Sequence, residues 1–525
     1  MPLEGYALIC LKVHKNAYYD SVSLMIISKE VKKLPGVREA LVGMGTELNR
    51  EIARNIGLAA EGFDAVTAND FFVTADCGDE SDFTAVVAKV EELLGKKSER
   101  RKADHYPPTL EGALKLEPGL NMAVISLPGR YAHHVARSCL EKDINVMLFS
   151  DNVTIEEERD LKEYAASKEL LVMGPDCGTA IISGTPLAFA NVVKSGNIGM
   201  VCASGTGAQE VSSIIDQLGG GVSQLLGTGG RDLKLEIGGR MMKLGMDALI
   251  RDPKTKVLVL VSKPPAPEIA RRILDRAAAG GKPTVVCFIG GERNEIKARG
   301  LWAAFSLEDA AHKAVALSQG RKPEDFTGFA MGGRRAEELA ASEAAKMAPG
   351  QKFVRGLYTG GTLCDEAMKL MISSLGHIWS NIPLHPEDKL DNARSAPGRE
   401  HTFLDFGDDE FTVGRPHPMI DPSLRCERMT AEAADPSAAV LLVDCVIGYG
   451  SHEDPAEELS QAIRAAKGLC AKEGRYLAVA ASVCGTEGDP QNLSASRLKL
   501  ANAGAVVLPS NAQAVRFTQH ILAHL

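Results

Sequence analysis

The sequence predicts an α/β protein built of several Rossmann-like or flavodoxin-like domains, each a doubly wound parallel sheet. Three observations carry this reading. Short runs rich in Val, Ile and Leu alternate with helix-period segments along the whole chain. Glycine fills 51 of the 525 positions, often where an apolar run gives way to a helical one. Two stretches also repeat the same five elements in the same order.

The elements fall into four domains. Residues 1–110 read as a small α/β domain: strand ALICLKV, helix SVSLMIISKEVKKL, strand EALVGMG, helix ELNREIARNIG, strand DFFVTADC and helix FTAVVAKVEELL. The polar, proline-containing GKKSERRKADHYPPTLEG closes it. Residues 118–190 hold two βα steps and a third strand, a partial Rossmann unit. Residues 195–320 form a third unit, and a fourth covers 350–525 after the Ala-rich linker TGFAMGGRRAEELAASEAAKMAPG. These last two are the repeat. Each opens strand, Gly/Thr turn, helix (CASGTGAQEV and LYTGGTLCDEA) and passes a second Gly-rich strand end (LLGTGGRD and FLDFGDDE). Each then runs through a helix ending in Asp-Pro to further strands. Duplicated domains carry sites at equivalent strand ends.

Composition excludes several functions. A formal charge of −9, from 59 Lys and Arg against 68 Asp and Glu, comes with no basic arm to neutralise a nucleic-acid backbone. The 11 cysteines stand singly, without a CxxC pair or a Cys/His set at metal-ligand spacing. Several lie inside apolar strands, which predicts buried thiols, a reducing compartment and no metal site. No apolar run approaches the roughly 20 residues that span a bilayer, and charges come too early for a signal peptide. The expectation is a cytoplasmic protein with neither membrane nor nucleic acid as partner.

A helix that begins directly after a strand presents unpaired amides and its positive dipole end to the sheet's carboxyl edge, where glycine lets an anion approach. Ser204, Gly205, Thr206 and Gly207 make one such opening, and Thr359, Gly360, Gly361 and Thr362 make another. One loop of this kind is better explained by a tight turn and an N-cap; two in duplicated domains predict a phosphate or carboxylate site. SGTGAQE lacks the third glycine of GxGxxG, and GGKPT has proline where a P-loop has Ser or Thr. In VGRPHPMIDP, Pro416 and Pro418 bracket His417 and fix where its imidazole points, and Arg415 suits two-pronged contact with a carboxylate or phosphate. His417 is suited to donate to a carbonyl oxygen or to carry a proton; the alternative is a rigid surface turn in which Arg415 pairs with Asp421. Asp405, Asp408 and Asp409 end a strand at the same edge, either to bind a cation or to cap a helix. His133 and His134, adjacent on a helix, cannot face one ligand together.

The order of these motifs resembles succinyl-CoA synthetase. VISLPGRYA, FSDNVTIEEERDLKEYAASKELLVMGPDCGTAIISG and GNIGMVCASGTGAQE are similar to its α subunit from the middle of the CoA-binding domain onward. LYTGGTLCDEAMKLM, FLDFGDDE, LLVDCVIGYGSHEDPAEELSQAI and GAVVLPSNAQAV resemble the carboxy-terminal domain of the β subunit. Over nearly its whole length the chain is identified as a member of the FdrA family, through DSVSLMIISKEV, MLFSDNVT, VMGPDCGTAI, GTPLAFANV, VSKPPA, GLYTGGTL, VGRPHPMIDP and GTEGDPQ.

The synthetases pass a phosphoryl group through a histidine that swings between two helix starts. The resemblance puts those starts near Ser204–Gly207 and near Gly448, Tyr449, Gly450 and Ser451. The histidine loop would follow PTVVCFIGG, yet the next histidine is His312, on an amphipathic helix at the unit's end, where it reads as structural. The glutamate that steadies the synthetase histidine falls at Lys263, which either meets an anionic substrate directly or is an exposed loop lysine. No ATP-grasp domain is visible, so the chain alone offers no site for a triphosphate. CoA binding stays open, because the Gly-rich half of its domain has no counterpart in residues 1–120.

By resemblance, FdrA proteins are linked to carbamoyl transfer in anaerobic allantoin catabolism, in which oxalurate and phosphate give oxamate and carbamoyl phosphate. The expectation is an oligomeric enzyme subunit, working with separate partner subunits, that moves a carbamoyl or acyl group to or from phosphate without a phosphohistidine. Its small anionic substrate is phosphate or carbamoyl phosphate, and Arg415, His417 and Lys263 are its catalytic candidates. The alternatives are a subunit of an ADP-forming acyl-CoA ligase and a non-catalytic subunit that binds CoA or an anion.

Overall fold

A computed structural model describes residues 8–17, 19, 21–101, 107, 109–412 and 415–525. The chain divides into two units, residues 1–118 with 412–416, and residues 119–411 with 417–525.

The first unit carries β1 (Leu8–His14), α1 (Ser21–Lys32), β2 (Val37–Met44), α2 (Glu47–Asn55), β3 (Phe71–Cys77), α3 (Glu80–Arg101) and α4 (Leu110–Leu116). The sheet is antiparallel, in the order β1-β3-β2, and this corrects the expectation of parallel sheets throughout. Alternating hydrophobic periods identify the elements but leave open which strand inserts between which. Both faces are covered, which is why β3 is apolar on both sides. Leu24 and Ile27 of α1 and Val86 and Val90 of α3 pack on Val42, Val73 and Ala75, while Ala53, Phe63 and Val66 cover Phe72.

The second unit opens with β4 (Met122–Ile125), α5 (Gly129–Glu141), β5 (Asn145–Leu148), α6 (Ile155–Ser167) and β6 (Val172–Met173), whose strands form a parallel sheet in that order. Thr154 starts α6 by a capping box with Glu157. A hairpin of β7 (Thr179–Ile182) and β8 (Thr185–Ala188) then joins the edge of the first repeat.

The first repeat is β9 (Ser195–Ala203), α7 (Gly205–Gln217), β10 (Val222–Gly227), α8 (Arg240–Arg251), β11 (Val257–Ser262), α9 (Pro267–Ala278), β12 (Thr284–Phe288), α10 (Arg293–Lys297), β13 (Trp302–Ala303) and α11 (Leu307–Ser318). Buried Lys162 of α6 bonds Glu158 and Asp232 at 2.8 and 2.9 Å and so fastens the smaller sheet to the loop after β10. Helix α12 (Gly333–Ala344) leads to the second repeat. That repeat is β14 (Phe353–Tyr358), α13 (Gly361–Leu375), β15 (Trp379–Ser380), β16 (Thr402–Asp405), α14 (Asp409–Thr412), α15 (Ser423–Ala433), β17 (Ala438–Val446), α16 (Pro455–Lys472), β18 (Ala478–Cys484), α17 (Leu493–Asn502), β19 (Val506–Leu508) and α18 (Asn511–Ala523).

The two sheets run β13-β12-β11-β9-β10-β7-β8 and β15-β16-β14-β17-β18-β19. Set aside the hairpin and β15, and β13-β12-β11-β9-β10 matches β19-β18-β17-β14-β16 strand for strand. This is the flavodoxin-like order, duplicated. One apolar core serves both repeats: Met200, Val211 and Ile215 of the first share it with Val354, Met368 and Val515 of the second. Helices α7 and α13 pack together there, so the carboxyl edges of the two sheets meet at their openings.

Candidate functional site

Strand β9 ends at Ala203, and Ser204 caps α7 by accepting from the Gly207 N–H at 3.0 Å. The opening of α13 lies directly against it. The Ser204 and Thr362 hydroxyls are 2.8 Å apart, and the Thr362 N–H donates to Thr206 Oγ1 at 3.3 Å. Glycine at 360 permits this approach, since a Cβ there would stand 3.0 Å from Thr206 Cβ. The amides of Gly205 and Thr206, the first two of α7, meet no acceptor among the described residues.

The α13 opening is occupied by the protein itself, which corrects the expectation of an open cradle at residues 359–362. Thr359 and Gly360 each donate an amide to the Asp444 carboxylate at 2.7 Å, and Arg425 holds the same carboxylate at 2.6 Å. Asp444 projects from neighbouring β17, and strand adjacency of that kind is not written in the local sequence. The Thr359 hydroxyl, however, is buried with no partner.

Gly448–Ser451 is not a helix opening, a second correction. Helix α16 starts at Pro455, where Asp454 accepts from the Glu457 N–H. Gly448 and Gly450 have φ of +125° and +76°, outside the helical region, and Gly448 and Tyr449 donate their amides to Gln491 and to the Ala190 carbonyl. Ser451 keeps a buried hydroxyl without a partner. The openings that meet are therefore those at Ser204 and Gly360. The β17 loop is tied to α7 through Asn191, which bonds both Gln209 and the Ile447 carbonyl.

Asp405 ends β16 beside the α13 opening, where a Cβ on Gly361 would lie 2.2 Å from its Oδ2. Its other oxygen accepts from the Gly407 N–H at 2.9 Å. Burial pushes the Asp405 carboxyl up to about 7, and the nearby Lys263 charge opposes that rise. Lys263 follows β11 and is half-buried, so of the two readings for it the exposed loop lysine does not apply. His417 points its Nε2 at Gly407, where a Cβ would come within 2.8 Å. Its Nδ1 accepts from the Met419 N–H at 3.2 Å, which assigns the ring proton to Nε2. Burial brings the imidazole down to about 4, and the Phe189 ring lies 5.5 Å away. Burial thus favours the neutral imidazole over the imidazolium, with the Nε2–H as its donor. Arg415 is exposed and belongs to the segment 412–416 of the first unit.

Sequence reasoning missed Asp444, Arg425, Phe189 and His452. An aspartate inside the apolar run LLVDCVIG is the one local signal for Asp444. His452 donates its amide to the Met419 carbonyl, and its Nδ1 accepts from the Asp454 N–H. Of the two readings for the aspartates after β16, Asp408 caps, accepting from the Glu410 N–H. His133 pairs with Asp160 at 2.9 Å, and His312 stacks on Phe326 at 4.0 Å.

Comparison with known proteins follows the same division. Residues 8–108 match the AllF heavy metal-associated domain, 193–290 the CoA binding domain, and 357–521 CoA-ligase. Among the described residues of the first of these, no group of three or more His, Cys, Asp or Glu is set to hold a metal, and burial pushes the Cys77 thiol up to about 11. At the turn before α5, Gly129 lies against the Asn152 carbonyl, which a Cβ there would approach to 2.2 Å.

The chain is 45% identical over 499 residues to the uncharacterized protein YahF of Escherichia coli (strain K12), covering 95% of this chain and 96% of that one. It is 25% identical to an ADP-forming sulfoacetate-CoA ligase subunit, SqwL, of Acholeplasma sp, over 33% of this chain and 59% of the relative. It is 29% identical to the succinate–CoA ligase [ADP-forming] subunit alpha 2 of Archaeoglobus fulgidus, over 28% and 51%. No helix among the described residues is long and apolar enough to cross a membrane. By its identity along almost all of both chains, the protein belongs to the family of Escherichia coli YahF, and its CoA-binding and CoA-ligase regions give it a succinyl-CoA synthetase-like architecture.

Proposed function

We propose that this chain is an FdrA-type enzyme subunit that transfers a carbamoyl or acyl group to or from phosphate, without a phosphohistidine, as in oxamate carbamoyl transfer during allantoin degradation. The observation that carries the reading is the meeting of the free α7 amides with Lys263, Asp405 and neutral His417 where the carboxyl edges of the two sheets join. Phosphate binds at the Gly205 and Thr206 amides, and Lys263 balances its charge. The His417 Nε2–H donates to the carbamoyl oxygen, which gains negative charge as a phosphate oxygen attacks the carbon. The bond from that carbon to the oxamate nitrogen then breaks. Asp405 takes the proton from phosphate and passes it to the leaving nitrogen, a relay suited to a carboxyl near neutrality. The protein acts in the cytoplasm, and separate partner subunits complete the assembly.

The test incubates the full chain, with its partner subunits, with oxamate and carbamoyl phosphate and measures phosphate release. Release that drops at least about tenfold in Lys263→Met supports the reading, on the scale of one lost charged contact. Absence of release in every subunit combination overturns it. The names of two relatives favour a second reading, a subunit of an ADP-forming acyl-CoA ligase fed by another chain's ATP site. Acid-labile label appearing on this chain from γ-labelled ATP would establish that one, and its survival in His417→Ala would eliminate His417 as the carrier.

A further inference from the structure

Helices α7 and α13 carry a glutamate at equivalent places, Glu210 and Glu366, six residues beyond Ser204 and Gly360. Both are fully buried, at 2% and 0% exposure. Each reaches out of its own repeat. Glu210, on the first repeat, accepts from the Asn511 N–H at 3.0 Å, the first amide of α18 in the second repeat. Glu366, on the second repeat, accepts from the Leu307 N–H at 2.7 Å, the first amide of α11 in the first repeat. Asn511 links the two, because its Nδ2 also donates to Glu366 at 2.8 Å. Each carboxyl group therefore caps a helix of the other half by accepting from its first amide.

The surroundings supply little compensation for two charges. Glu210 receives the Cys484 thiol as a second donor and feels Arg497 from α17 and Glu308 from α11. Glu366 feels Glu210 and Glu308, and Tyr358 of β14 and Cys287 of β12 lie within range of it. Among these described neighbours Arg497 is the one cation, and no ion pair between it and either glutamate is formed. Burial pushes both carboxyls up to about 7.

We propose that Glu210 and Glu366 are positioning residues, a crossed pair of braces that fixes the α7 and α13 openings against each other and loosens as the pair loses its protons. The functional consequence rests on the reading of the α7 opening as the phosphate site; the brace itself does not. Since both carboxyls are raised in the folded state, their stabilisation is full below the unfolded carboxyl range and is lost as pH rises through about 7.

The test is hydrogen exchange on the full-length chain, compared with Glu210→Gln, Glu366→Gln, Glu210→Ala and Glu366→Ala, from pH 5.5 to 8.5. The crossed arrangement predicts that Glu210→Ala lowers protection at the start of α18 by at least about tenfold, and Glu366→Ala at the start of α11. The wild-type protection at both starts falls with rising pH, and the Gln variants, which keep an acceptor but cannot ionise, flatten that fall. Loss confined to the mutated residue's own helix, or a Gln variant that follows the wild-type pH slope, overturns the proposal. Should the Ala variants not fold, the Gln variants alone decide it. Inorganic phosphate titrated against the same proteins separates the two readings: a crossed exchange pattern with no binding of phosphate to any of them upholds the brace and removes the α7 site.

Discussion

The Ser204 hydroxyl lies 2.8 Å from the Thr362 hydroxyl, so the cap of α7 touches the first turn of α13, a helix of the other repeat, at the junction of their sheets. Ser204 is also the acceptor for the Gly207 N–H, which ties the local start of α7 to the pairing of the halves. Ser204→Ala removes both bonds and is expected to cost about 1–2 kcal/mol, the upper part of the range for a lost N-cap. Ser204→Gly, which keeps the backbone of the cap, should cost less. Urea denaturation of the three proteins checks the order; an alanine variant as stable as wild type removes Ser204 from the account.

Asp444 is fully buried and accepts from Thr359, Gly360 and Arg425 together. Asp444→Ala leaves two amides without their acceptor and a buried guanidinium without its counter-charge, though still bonded to the residue 444 carbonyl, and breaking a buried pair in this way costs about 3–5 kcal/mol. The double variant Asp444→Leu with Arg425→Met removes the orphaned charge but not the orphaned amides. It should recover part of the loss and not all of it. Full recovery in thermal unfolding would mean that the two amide bonds contribute nothing.

The duplication was legible in the sequence because backbone geometry demands particular residues locally: glycine and threonine where a strand turns into a helix, Asp-Pro where a helix ends. The helix start after β17 was misread for the same local reason. Gly448 and Gly450 resemble an opening, while the residues that start α16, Asp454 and Pro455, lie further along the chain. Asp444 was invisible as an occupant because the loop it fills belongs to a neighbouring strand, a contact across 85 positions. Arg415 and His417 are two residues apart in sequence and were read as one group, yet they fall in different units.

His417 is held neutral by burial, with its pKa brought down to about 4. A group depressed below its unfolded value of about 6.5 contributes stability that is present above that value and lost as pH falls from there through about 4. The contribution is at most about 3 kcal/mol. His417→Gln abolishes this dependence, so its denaturation midpoint should fall less than that of wild type between pH 7 and pH 4.5. Parallel curves for the two proteins would show that the imidazole titrates alike in the folded and unfolded states.

Asp405 sets the opposite dependence for turnover. In the proposed relay it must begin as a carboxylate in either direction, because it first removes a proton, from phosphate or from the amide nitrogen, and then returns one. With its carboxyl raised to about 7, the rate is expected to climb as pH rises through that value. Carbamoyl phosphate and oxamate as substrates give the cleaner profile, since inorganic phosphate ionises in the same range. Asp405→Asn preserves an oxygen for the Gly407 N–H but cannot relay a proton, and should lower kcat by about 10²–10⁴-fold while erasing the limb near neutrality. His417, uncharged across this range, should add no limb of its own. A variant that retains the rise with pH would assign the proton transfer to another group and leave Asp405 as a helix-opening carboxylate with a structural part only.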